Sequence, residues 1–151
     1  MSIAIDFEFL GLPKLKRAFD LLPDVVGKKI VQSAIRKAAK PVKAKAESLI
    51  PRGPDKPQGQ HLADVGLKIK SMRRSRSGFG VLIVTPSREE LGIDPKEKGF
   101  YPVHLELGHG NVPAHPYMRD AMDSMRDQTR LKIGAEIIKG IEREAKKLAR
   151  R

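Results

Sequence analysis

Residues 101–122 read YPVHLELGHGNVPAHPYMRDAM. A short apolar turn ends at Glu106-Leu107-Gly108, a Gly- and Pro-rich loop follows, and Pro116 opens a long helical pattern. Two readings of this stretch lead to different molecules. His104, Glu106, His109 and His115 are ligand types for a divalent metal and would point to an enzyme; the same punctuation also suits a packing hinge between a sheet and a helix. The spacing disfavours the metal. It lacks the His-Glu-x-x-His pattern that puts two histidines one turn apart on a helix, and Gly108 and Gly110 leave His109 without a fixed direction. In the hinge reading Leu105 and Leu107 turn inward. Glu106 then sits near the N-terminus of the next helix or pairs with a basic neighbour.

Downstream of the hinge, Met118, Met122, Met125, Ile133, Ile137, Ile141 and Leu148 keep a helical spacing, which predicts one helix of about 30 residues and about 45 Å. Gly134 and Gly140 are its weak points. Its basic end, KKLARR, outreaches the core of so small a domain and extends toward a neighbour or frays.

Upstream, residues 79–85, FGVLIVT, form a continuous apolar run between Gly78 and Pro86 and predict a central strand. Val65, Leu67 and Ile69 alternate with Gly66, Lys68 and Lys70 and predict its neighbour. The tip between them carries Arg73, Arg74 and Arg76, candidate contacts for an anion or a partner if they are more than a solvated turn. Residues 86–100 are acidic and rich in turn formers, an excursion between core elements.

Within residues 24–50, Ile30, Ala34, Ala38, Val42, Ala46 and Leu49 recur at spacings of four and three, opposite Lys28, Lys29, Arg36, Lys37, Lys40 and Lys43. This is an amphipathic helix that Pro41 should kink or break. Its basic face could track phosphates, although no aromatic residue interleaves it and a solvated face explains it as well. Before it, Ile3, Ile5, Phe7 and Phe9 alternate with polar or small residues as a half-buried strand, and residues 12–22 support a short helix between Pro13 and Pro23. After it, PRGPDKPQG at 51–59 holds three prolines and two glycines and reads as a loop.

The chain's 151 residues suffice for one core, and 40% hydrophobic with 32% charged residues is a globular balance. With 5% aromatics and no Trp, that core is built from Ile, Leu, Val, Met and Ala. Zero cysteines excludes disulfides and thiolate metal sites and fits a cytoplasmic origin. No apolar run is long enough for a membrane span, and the acidic N-terminus does not resemble a signal peptide. The net charge of +12 would draw the chain toward nucleic acid, anionic membrane or an acidic partner. No Walker-type loop, G-x-S-x-G elbow or cysteine nucleophile is present, so catalysis has no positive support.

In order along the chain, an N-terminal strand, an Ala-x3-Ala helix with lysines, a loop from Ile50-Pro51 to Gly59-Gln60-His61-Leu62, and two strands precede Tyr101 and Leu105-Glu106-Leu107-Gly108. Pro113-Ala114-His115-Pro116-Tyr117-Met118-Arg119 and Ala121 complete a pattern that resembles the head-to-tail morphogenesis proteins of long-tailed bacteriophages. The chain departs from that pattern in lacking a Thr-Gly pair before Leu62 and in the length of 86–100. The resemblance implies a non-enzymatic neck or tail-completion subunit, without cofactor or metal. It would form a homo-oligomeric ring in the virion at the head–tail junction, after assembly in the host cytoplasm. Its partners would be the connector or stopper and tail-tube or terminator proteins, with packaged DNA as a non-specific contact and no membrane. A tail terminator subunit and a basic nucleic-acid-binding protein are the alternatives. Within that family reading, Gly108 permits a tight turn, Pro113 and Pro116 stiffen the loop, and Tyr117 and Met118 bury against the sheet.

The expected fold is α+β: a single domain over residues 1–151, with a small antiparallel or mixed sheet against a kinked amphipathic helix and a long C-terminal helix. Mobile loops are expected near 51–61 and 86–100. Tyr101, Leu105, Glu106, Gly108, Pro113, Pro116, Tyr117, Met118 and Arg119 form the hinge.

Overall fold

The computed structural model describes residues 24–52, 61–72, 80–94, 96, 101–110 and 113–148. The strand expected at 3–9, the helix at 12–22, most of the 51–61 loop and the tip bearing Arg73, Arg74 and Arg76 lie outside the described residues. The remainder is α+β. Its elements are α1 (Asp24–Leu49), α2 (Leu62–Val65), β1 (Lys68–Ser71), β2 (Val81–Val84), α3 (Tyr101–Leu107), α4 (Tyr117–Ser124) and α5 (Arg126–Leu148). β1 and β2 pair antiparallel, with Ile69 opposite Ile83.

The stripe on α1 is Ile30, Ala34, Ala38, Val42, Ala46 and, one residue past its end, Ile50, all buried. Leu49, expected to close the stripe, is 37% exposed, because a step of four from Ala46 lands on Ile50 instead. The helix runs unbroken through Pro41, so of the two outcomes open at this proline, a kink or a break, the break does not occur.

The N-terminal half of this stripe receives α5. Gly140 is buried there, and a Cβ at that position would lie 2.5 Å from Ile30 Cγ2. Lys37 Nζ meets Glu136 Oε2 at 2.6 Å beside this contact, and the hydrogen bond holds the Glu136 carboxyl below the usual carboxylate range. Lys37 is 44% exposed, so water screens the pair and it adds little to stability. Burying Ile30 is worth about 1.5–3 kcal/mol. Close packing therefore does more than the ion pair to hold α5 on α1.

The C-terminal half of the stripe enters a separate cluster: Val42, Ala46 and Ile50 with Leu62, Leu67, Leu91, Tyr117 and Ala121. Leu62 belongs to α2, a single turn not anticipated in the sequence. Gly66 follows it with φ +74°, which ends the turn and delays β1 to Lys68, so the strand expected from Val65 starts three residues late.

Residues 86–94 are more than an excursion, since Pro86 and Leu91 are among the most completely buried side chains. Ser87 Oγ accepts from Glu90 N–H at 3.3 Å while Glu90 Oε2 accepts from Ser87 N–H at 2.9 Å. This reciprocal pair is a capping box closed on one turn, and it drives Leu91 into the core.

The single C-terminal helix expected after Pro116 is divided at Met125, which has φ −104° and ψ 4°. Gly134 and Gly140 lie within α5 without interrupting it. Among the described residues, no helix is long and apolar enough to cross a membrane.

Candidate functional site

The residues expected to form a hinge come together around the start of α4. Residues 101–107, read above as a short turn, are the helix α3, and Pro102 in its first turn is buried. Tyr101 Oη accepts a hydrogen bond from the Leu62 backbone N–H, which ties α3 to α2. Burial raises the Tyr101 hydroxyl pKa, against the opposing effect of that N–H. Leu105 packs against the core cluster. Leu107 does not turn inward as expected; it is 62% exposed, because two residues on a helix is a turn of about 200° from Leu105.

Gly108 ends α3 with φ +77°, its N–H donating to His104 O at 2.8 Å. A left-handed glycine of this kind is a common way to close a helix, and the expected tight turn is present. After the loop, His115 N–H donates to Leu105 O at 2.6 Å and Tyr117 N–H donates to His115 O at 2.7 Å. Pro116, with φ −77° and ψ 62°, is the centre of an inverse γ-turn. Pro113 is exposed and Pro116 half-buried.

Glu106 joins the two sides. Its Oε2 accepts from Met118 N–H at 2.9 Å and its Oε1 from Arg119 N–H at 3.1 Å. Backbone donors in the first turn of a helix have no partner within it, and Pro116 offers no side-chain cap, so a carboxylate from another element fills the role. Of the two placements open to Glu106, this is the one at the next helix's N-terminus.

Tyr117 is 2% exposed and its hydroxyl donates to Pro102 O at 3.4 Å. Burial, reinforced by the Glu106 charge, pushes this hydroxyl up to about 12. Its surroundings are mainly helices and loops, not the sheet expected, while half-buried Met118 reaches a groove wall shared with Ile83. The Arg119 side chain is exposed.

The histidines take other roles. The rings of His104 and His109 stack with centroids 4.3 Å apart, and His115 contributes a backbone donor to the turn. Both Glu106 oxygens are engaged by amides. Among the described residues no group of three or more candidate ligands gathers.

Two further carboxylates do similar work and were missed. Glu47 Oε1 accepts from Leu67 N–H at 2.8 Å and from Lys43 Nζ at 2.6 Å, fastening the 62–67 segment to α1. A Cβ at Gly66 would lie 2.5 Å from that oxygen, the movable end of the Glu47 side chain, so the φ of +74° is the main reason for glycine there. Glu90, hydrogen-bonded to Lys68 and then to Ser87 N–H, has its pKa held down to about 2. The Ser-x-x-Glu spacing at 87–90 signals that box in the sequence; nothing local signals Glu47.

Of the candidate basic contacts, Lys28, Lys29, Arg36 and Lys40 are exposed on α1. Arg36 Nη1 donates to Ser71 Oγ at 3.1 Å, Lys37 is paired with Glu136, and Lys43 with Glu47. A cleft of ≈ 380 Å³ beside α1 and α5 mixes Lys29, Lys37, Arg143 and Lys147 with Glu136 and Glu144, and so has no uniform charge. Comparison with protein-family models, curated protein sequences and solved structures finds no match to the chain.

Proposed function

We propose that the chain is a structural subunit of the neck of a tailed bacteriophage, assembling into an oligomeric ring that joins the head connector to the tail or completes the tail. The observation that carries this reading is apolar surface on the two helices leaving the hinge. Met122 is 57%, Leu131 63% and Ile138 46% exposed, on a chain whose charge of +12 should keep it soluble without them. The hinge supports the same reading: Glu106, Gly108 and Pro116 hold backbone in place, which suits a part whose work is to present helices at a set angle.

Sedimentation over a range of concentrations, with electron microscopy of the species formed, tests the proposal. Discrete rings, or binding to purified tails, are expected; a chain that stays monomeric at high concentration and ignores tails overturns it. Particles assembled without the protein then separate the two roles. Tails that fail to join heads indicate a neck subunit, and tails of uncontrolled length indicate a terminator. The alternative of a nucleic-acid-binding protein draws less support, because Lys37 and Lys43 on the basic face are paired with carboxylates.

A further inference from the structure

We infer that the groove between β2 and helices α4 and α5 is the seat of residues 3–9 of the same chain, added as a third strand along the outer edge of β2. The groove measures ≈ 410 Å³. It is lined by Val42 of α1, Met122 of α4, Ile133 of α5 and Val81, Leu82 and Ile83 of β2. Three consecutive strand residues cannot all face one side of a sheet, because side chains alternate, so the groove follows the edge of β2 and not a face. Among the described residues β2 pairs only with β1, on its opposite edge. An unpaired strand edge over an apolar floor is the usual setting for addition of an extended segment.

Residues 3–9 lie outside the described residues, and their sequence identifies them as the occupant. Ile3, Ile5, Phe7 and Phe9 place four large apolar side chains on one face, with Ala4, Asp6 and Glu8 on the other. That pattern matches a strand with the groove beneath it and solvent above. The tether permits the arrangement within one copy. From Asp24 to Val42 along α1 is about 27 Å, and residues 10–23 can span about 32 Å even with the helix expected at 12–22. A segment so tethered competes at high effective concentration against the same segment of another copy. The seat would cover Met122 but not Leu131 or Ile138, which lie outside the groove lining, so the neck proposal stands or falls on those two and each proposal can fail alone.

The chain has no cysteine, so engineered pairs report without background. Ile5→Cys is combined in turn with Val81→Cys, Leu82→Cys and Ile83→Cys, oxidised, and run on a non-reducing gel. A disulfide at monomer mass in at least one pair is expected. Hydrogen exchange on the unmodified chain is the second measurement, with amides in 3–9 and on β2 expected to be protected about 100-fold or more over free peptide. Disulfides only at dimer mass show strand exchange between copies and overturn the assignment. Amides in 3–9 that exchange at the free rate overturn it whatever the cysteine variants do, and so does protection of 3–9 without a disulfide in any folded pair.

Discussion

Gly140 and Ile30 meet so closely that a single added carbon at 140 would lie 2.5 Å from Ile30 Cγ2 and 3.3 Å from Cγ1. Helix propensity alone makes Gly140→Ala stabilising by about 1 kcal/mol. Overpacking a branched side chain held in a core typically costs about 1–3 kcal/mol. The contact should win, with a net loss of about 1 kcal/mol in urea denaturation. In an Ile30→Ala background the same substitution should turn neutral or stabilising, and the double-mutant cycle measures the coupling. A full propensity gain in the wild-type background would show that the helices do not approach this closely.

Glu106→Ala leaves two first-turn amides of α4 without their carboxylate and should cost about 1–2 kcal/mol. Asp120, exposed in the same turn, is the control: Asp120→Asn should cost only a few tenths, as a charge near a helix end does at the surface. Equal effects in chemical denaturation would mean that Glu106 acts through its charge alone.

Gly108→Val places a β-branched residue at φ +77°, a strain of about 1–3 kcal/mol at the point where α3 stops. Loss of folding is expected or, if the proposed ring forms, loss of its assembly. His109→Ala, at an exposed position whose ring stacks on His104, should be tolerated with an unchanged melting temperature. The reverse outcome would revive a role for the histidines in binding a metal.

Alkaline stability should follow Tyr117. Its hydroxyl pKa is raised from 10.0 to about 12 in the fold, so the neutral form is favoured by folding. That contribution is complete below pH 10 and is lost as the pH rises through about 12. The chain has two tyrosines and no Trp, so tyrosinate absorbance reads them cleanly. Both should titrate above the ordinary value, and Tyr117→Phe should remove the higher step and flatten the stability loss in that window.

The sequence exposed most of α1, because a step of four repeated from Ile30 to Ala46 has one helical solution. The hairpin was equally plain in its apolar runs, and Gly108 and Glu106 were visible as residue types at a boundary. The partner of Glu106 was not fixed, since Met118 and Arg119 are reached across a loop whose path depends on Pro116. α3 was missed although Pro102 suits a first turn, because seven residues carry too little periodicity to separate a helix from a turn. Gly134 and Gly140 misled for the opposite reason. Propensity marks them as weak points, whereas packing against Ile30 makes the second a contact. The division at Met125 has no glycine or proline to announce it.

Pro41 stands at a boundary. On one side Ile30, Ala34 and Ala38 serve the contact with α5, and on the other Val42, Ala46 and Ile50 belong to the cluster with Tyr117 and Leu91. A proline there removes the backbone bond that would link the two turns across the seam. The two halves of one rod thus bury mainly against different neighbours, although Val42 and Ala46 also line a groove with Ile133 of α5. With one ladder bond missing at that seam, loosening of α1 against α5 should pass less readily into the turns that hold the hinge.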